Sequence, residues 1–246
     1  MSDLMSAAFP EAGPRRPVVR WSWLGRRPYA QVWGWQRQLA AELAEGRGAD
    51  RLLLCEHDPV ITLGRRASAA DILVDAGELA RRGITSQTVE RGGAATYHGP
   101  GQLVIYPILD LRRHRKDVRW LSGTLAAAAQ DCLAFFGIAS EVREGAATGV
   151  WTAGGKVAAL GLRVERWICY HGLALNVSTD LSAFGLIVPC ALPLATVDSI
   201  AARLGKAPPM AEVRAAFLNA FAARFHVALQ QVDRPAFIRQ RSLRRT

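Results

Sequence analysis

A chain of 246 residues, half of them hydrophobic, can bury a sizeable core, which excludes a disordered polymer. No apolar run reaches the ~18 residues of a membrane span, and the first 17 residues contain Asp3 and Glu11 but no apolar signal stretch, so a cytoplasmic protein is expected. The net charge of +10 arises from 28 arginines and three lysines against 21 acids, which admits nucleic acid, a membrane surface or an acidic protein as partner without choosing among them.

Residues 1–17 read as a tail and Val18–Trp23 as the first strand. Tyr29, Val32, Trp33, Leu39 and Leu43 recur at helical spacing from Pro28 to Gly46, with Trp33 and Trp35 expected in packing. Arg51–Glu56 and Val60–Leu63 are strands flanking the turn His57-Asp58-Pro59. Leu63-Gly64-Arg65-Arg66 then ends the second strand, either as a plain solvated turn or as a contact for an anionic substrate carrier. After a short helix over Gly77–Arg82, Thr88–Glu90 leads into the glycine-rich stretch Arg91–Gln102, which reads as a long loop anchored by an apolar strand from Leu103 to Asp110. Four glycines there free the backbone to approach a ligand with its N–H groups, while Arg91, Thr96, Tyr97 and His98 supply polar side chains.

A helix over Val118–Phe136 closes at Gly137. Glu141–Arg143, Gly149–Trp151, Lys156–Val164, Trp167–Tyr170 and Leu173–Val177 read as successive short strands. A helical turn at Asp180–Phe184 precedes Leu186–Cys190. Pro208 or Pro209 opens a last helix to Phe225, before a strand near Val227–Val232 and a basic tail over 233–246. Strands interspersed with few helices predict an α+β domain over 18–232.

The four cysteines form no C-x-x-C pair, so neither a disulfide framework nor a metal site is expected. Cys55 and His57, like Cys169 and His171, are two apart and would share a strand face. The glycines before Lys156 miss phosphate-loop spacing by one, and Val157 stands where a hydroxyl would be needed. Cys190, after Pro189 and an apolar run, is either an inert buried thiol or a nucleophile at a cavity mouth. Lys156 heads an otherwise apolar strand, either as a turn lysine or as an amine that can exchange a proton, which a guanidinium cannot. A thiol beside an amine suits acyl transfer from a thioester, because the enzyme thioester formed midway is close in energy to the donor.

Several blocks resemble the octanoyltransferases (lipoyl(octanoyl) transferases) of lipoate biosynthesis. Arg91–Pro107 is similar to R-G-G-x-x-T-Y-H-x-P-G-Q-L-x-x-Y-P, Gly155–Arg163 to G-K-[IV]-A-A-x-G-[LIV]-[RK], His171–Val177 to H-G-[LF]-A-L-N-V, and Leu186–Cys190 to L-I-x-P-C, within a similarity spanning Arg51–Thr196. The resemblance implies a single domain with a mixed sheet flanked by helices, like the biotin and lipoate protein ligase catalytic domain. It implies that Cys190 takes an octanoyl group from octanoyl-acyl carrier protein and that Lys156 activates the thiol, with no cofactor and no metal. It also implies an acyl pocket lined by Arg91, Gly92, Gly93, Ala94, Ala95, Thr96, Tyr97 and His98, by Ala159, Leu160 and Gly161, and by Gly172, Leu173 and Ala174. His98 is expected to hydrogen-bond loop backbone rather than relay a proton. The implied acceptors are lipoyl domains of 2-oxoacid dehydrogenase complexes and glycine cleavage H protein, with no nucleic acid and no membrane as partner. Two alternatives are an ATP-dependent lipoate or biotin protein ligase on the same fold, and a basic nucleic-acid-binding module supported by charge alone.

Overall fold

Short apolar runs form strands here, and amphipathic stretches of 16 or more residues form the long helices. The computed structural model describes residues 16–188 and 196–233. In chain order it contains β1 (Val18–Arg27), α1 (Tyr29–Ala44), β2 (Arg51–His57), β3 (Val60–Leu63), α2 (Ala76–Arg81), β4 (Thr85–Thr88), β5 (Ala95–His98) and β6 (Gln102–Asp110). There follow α3 (Val118–Phe135), β7 (Glu141–Arg143), β8 (Gly149–Thr152), β9 (Gly155–Glu165), β10 (Ile168–Asn176), α4 (Ile200–Leu204), α5 (Met210–Phe225) and β11 (Ala228–Gln231).

Eight strands make one mixed sheet in the order β11-β1-β2-β6-β10-β9-β8-β7. β1 runs parallel to both its neighbours, and the remaining pairs are antiparallel. The central strands β6 and β10 are buried at every position, because helices cover both faces, and so they read as continuous apolar runs. On one face α3 and α5 bring Leu121, Leu125, Cys132, Phe217 and Phe221 against Leu52, Leu103 and Leu175. On the other, α1 brings Val32, Leu39 and Leu43 against Leu53, Val104 and Tyr106. A second sheet, β4-β3-β5, packs against the 3-10 turn Leu181–Leu186 through Tyr97 and Phe184.

The single α+β domain with a mixed sheet agrees with the expectation, and most element positions agree to within two residues. Several details differ. β1 runs on to Arg27, four residues past its expected end, and the strand expected over Thr88–Glu90 lies at Thr85–Thr88. The stretch Arg91–Gln102 is not all loop: Ala95–His98 pairs antiparallel with β3, because its alternating side chains can be buried on both faces of the small sheet. The two strands expected over 167–177 are the single strand β10, which pairs with β9 from Ile168 to Leu175. The short α4 was not anticipated, and it is started by the Ser199 hydroxyl accepting from Ala202 N–H.

Pro107 lies within β6 and has no N–H to offer a neighbour. The β6–β10 ladder pairs Cys169 with Leu109 and resumes with Leu173 and Ile105. Between them His171 takes a left-handed φ of 57°, and a Cβ on Gly172 would lie 2.0 Å from the Ile105 carbonyl oxygen. His171 therefore sits beside Tyr170, ring centroids 5.1 Å apart, on the α1 side, while Cys169 stays in the α3–α5 core. The shared face expected for Cys169 and His171 fails for this reason. The one expected for Cys55 and His57 holds, with Sγ and Nε2 3.5 Å apart on β2.

Trp35 packs on the α1-side core, and Trp33 donates Nε1–H to Glu90. No helix among the described residues is long and apolar enough to cross a membrane. Of the expected tails only Arg16, Pro17 and Asp233 are described, and Cys190 lies outside the described residues.

Candidate active site

The glycine-rich segment is held in place by its own arginine. The buried guanidinium of Arg91 donates to the Thr62 carbonyl oxygen (2.6 Å), to Thr62 Oγ1 (2.9 and 3.1 Å) and to the Gly92 carbonyl oxygen (2.9 Å), pinning the segment to β3. Gly92 N–H donates to Leu162 O (3.0 Å), which lays the segment across β9, and Gly93 turns it with a φ of 89°. β9 accepts this contact because Gly161 is small: a Cβ there would stand 3.0 Å from the Gly92 oxygen.

Between segment and sheet lies a pocket with about 470 Å³ of empty space, open mouth included. Of the residues expected to line it, Arg91, Gly93, Ala94, Ala95, Thr96, His98, Ala159, Leu160, Gly161, Gly172, Leu173 and Ala174 do so. Gly92 and Tyr97 do not. Gly92 is the stitch to β9, and Tyr97 leaves β5 on the opposite side, edge-on to Phe184 at 5.7 Å. Tyr29, Val104, Tyr106 and His171 complete the lining. His171 had a signal in its place beside Gly172, and Val104 and Tyr106 fall within the block matched over Arg91–Pro107, whereas Tyr29 comes from α1 and had none.

Hydrogen bonds assign the tautomers of two of the histidines near this wall. His57 Nδ1 lies 2.9 Å from the Arg27 carbonyl oxygen and must donate to it, so Nε2 is bare and accepts from Tyr106 Oη–H at 2.8 Å. The Gln102 amide nitrogen donates to Tyr97 O and Asn176 Oδ1, so Gln102 Oε1 accepts from His98 Nδ1–H at 2.7 Å. His98 is thus tied to a side chain and not, as expected, to loop backbone, and its Nε2 is left as an acceptor. Burial pushes the imidazole of His98 down to about 3 and those of His57 and His171 down to about 4. Burial also raises the phenols of Tyr29 and Tyr106, so near neutral pH this wall is polar but uncharged apart from Arg91.

Neutral buried histidines tie stability to pH. Their folded values lie below the unfolded value of about 6.5, so their contribution is complete above that pH and is lost as pH falls toward 4. Each should cost on the order of 1 kcal/mol per pH unit within this window. Urea midpoints at pH 7.5 and pH 5 should therefore differ clearly, and equal midpoints would contradict the burial of neutral rings.

Lys156, at the start of β9, is 5% exposed and stands outside the pocket lining. Its Nζ donates to the Thr148 carbonyl oxygen (3.2 Å) and lies 5.0 Å from the Trp151 ring centroid. The stem fits because residue 149 is glycine, where a Cβ would be 3.2 Å from Lys156 Cδ and Cε. Lys156 N–H donates to Thr196 O (2.9 Å), and its own carbonyl accepts from Asp198 N–H (2.9 Å). The chain emerging from the segment that contains Cys190 thus pairs onto Lys156, and Gly155 permits this because a Cβ would stand 2.6 Å from Thr196 O. Asp198 is fixed by the Thr152 hydroxyl and by Arg203 Nε at 2.8 Å. No cluster of three His, Cys, Asp or Glu side chains fit for a metal occurs among the described residues.

Residues 28–222 match the lipoyl protein ligase A/B catalytic domain. An octanoyltransferase of Gloeobacter violaceus is 51% identical over 169 residues, 68% of this chain and 73% of its own. One from Chloroflexus aggregans is 46% identical over 206 residues, 82% of this chain and 92% of its own. The chain belongs to the octanoyltransferase family. A T. acidophilum protein described as a lipoate protein ligase, solved with bound lipoic acid, superposes at a TM-score of 0.70 and 18% identity, covering 91% of this chain and 93% of its own. At that identity the likeness is one of fold, and it agrees with the ligase-like fold expected for an octanoyltransferase.

Proposed function

We propose that the protein moves an octanoyl group from octanoyl-acyl carrier protein to a specific lysine of lipoyl domains, through a thioester on Cys190. The acceptors in this reading are the lipoyl domains of 2-oxoacid dehydrogenase complexes and glycine cleavage H protein. The observation that carries it is the placement of Lys156, buried on β9 three residues before the pocket residue Ala159 and paired with the chain that follows Cys190. Val188, two residues before Cys190 in the sequence, donates its N–H to Asp71 O (2.8 Å).

In the first step the Lys156 amine takes the Cys190 thiol proton, and the thiolate attacks the thioester carbonyl of the donor. The C–S bond to the carrier's prosthetic thiol breaks, and that thiol leaves with a proton. In the second, the neutral amine of the acceptor lysine attacks the Cys190 thioester, the C–S bond breaks, and the amide forms. The proton shed by the amine returns to the Cys190–Lys156 pair. One thioester is exchanged for one amide, so no ATP is consumed. The small residues of the pocket, and a wall uncharged apart from Arg91, suit the acyl chain, whose burial is worth about 0.8 kcal/mol per methylene. Length preference should therefore be graded, since one methylene discriminates only modestly.

Intact-mass analysis after incubation with octanoyl-acyl carrier protein, without ATP, tests the reading. One octanoyl mass is expected on the protein and none on Cys190→Ser. Acylation that requires ATP would instead place the protein with the ligases.

A further inference from the structure

Beside the pocket, the Gly64–Ala67 turn carries two exposed arginines. Its backbone is fastened to the glycine-rich segment. Gly64 N–H donates to Ala94 O (3.3 Å), Arg65 N–H to Arg91 O (3.1 Å) and Arg66 N–H to Gly93 O (3.0 Å), and Ala67 N–H closes on Gly64 O (2.9 Å). The approach is close enough that a Cβ on Gly64 would stand 2.5 Å from Gly93 O. The turn is thus as fixed as the pocket wall to which it is bonded.

On its far side the same stretch reaches the segment that contains Cys190. Ile72 bridges to Ile187, Leu73 N–H donates to Leu186 O (2.9 Å), and Val188 N–H to Asp71 O (2.8 Å). The stretch that begins with Arg65 and Arg66 is therefore bonded to the lining segment at one end and, through Asp71, Ile72 and Leu73, to the chain that leads toward Cys190 at the other.

Among the described residues no carboxylate pairs with either arginine. Arg26 pairs with Asp58, Arg81 and Arg82 with Glu78, Arg112 and Arg113 with Asp110, and Arg224 with Asp131. Arg65 and Arg66 have no ion pair among the described residues, and the nearby Asp71 carboxylate accepts from Ser68 N–H at 3.0 Å. Two guanidinium groups without an ion pair among the described residues thus stand on one turn whose backbone is bonded to the pocket-lining segment, a combination that can bind an anion.

We propose that Arg65 and Arg66 bind the phosphate of the prosthetic arm on which the donor's thioester is carried. This rests on the carrier-bound donor of the previous section. The arm's amides and the acyl chain are neutral, so its phosphate is the one group that two adjacent guanidinium forks can recognise. A guanidinium meets phosphate oxygens through paired N–H donors, which a single lysine cannot do.

The test compares three donors with one lipoyl-domain acceptor: octanoyl-pantetheine, octanoyl-4′-phosphopantetheine and octanoyl-acyl carrier protein. Wild-type protein should prefer the phosphorylated arm to the unphosphorylated one by about tenfold or more in kcat/KM. In the Arg65→Gln/Arg66→Gln double variant that ratio should fall toward one, mainly through KM, with an unchanged thermal midpoint. A wild type indifferent to the phosphate, or a double variant that keeps the preference, overturns the site. Loss confined to the carrier-protein donor also overturns it, since the contact would then be with acids on the carrier. Turnover of none of the three thioesters by wild type would remove the donor reading and this ligand together, a result distinct from the others.

Discussion

Lys156→Met should lower kcat for octanoyl transfer by about 10²- to 10⁴-fold, the usual contribution of a positioned acid–base group, while KM for the donor changes little. Lys156 stands outside the pocket lining, so acyl binding should survive its loss. Methionine is close in length and can fill the slot beside Gly149 and Trp151. Lys156→Arg separates charge from proton transfer. The guanidinium keeps the positive charge but cannot give up its proton in a protein, so this variant should also be slow. Single-turnover acylation of Cys190 measured by mass is the appropriate readout. A fully active arginine variant would show that the lysine serves by its charge alone.

Gly172→Ala should destabilise the protein by about 3 kcal/mol or more, although it adds a single methyl group. That methyl would lie 2.0 Å from Ile105 O and 2.8 Å from Pro107 Cδ. Both atoms belong to β6, which is buried throughout and hemmed in by β2 and β10, so neither can yield cheaply. Gly34→Ala is the matched control. Gly34 lies within α1 with nothing within 4 Å of its would-be Cβ, so alanine there should stabilise by about 0.5–1 kcal/mol through helix propensity. Urea unfolding of both variants should give opposite signs, and a mild effect at Gly172 would mean that β6 and β10 part more easily than their burial implies.

The glycine-rich segment was legible from its composition, and the small residues of β9 and β10 through the family motifs to which they belong. Gly93 must turn the chain, and Gly161 and Gly172 must let other backbone approach. The roles of Gly92 and Tyr97 were less legible. Both belong to the same motif as the lining residues, but one points its N–H at Leu162, and strand alternation sends the other toward Phe184. The dual reading of the Arg65–Arg66 turn could not be narrowed without knowing that its backbone is fastened to Arg91, Gly93 and Ala94, some thirty positions on.

The pocket residues on three glycine-marked blocks came from the family resemblance, and by itself the sequence determined the α+β class and the positions of most strands and helices. Periodicity, proline and glycine act within a few residues of chain, so a linear reading can find them. Only the tertiary structure decided that His171 turns to the side of Tyr170, that Tyr29 and Tyr106 close the pocket, and that His57, His98 and His171 are neutral. Those outcomes depend on which distant strand runs alongside and on how much water the packed helices exclude, and neither is written in the neighbouring residues.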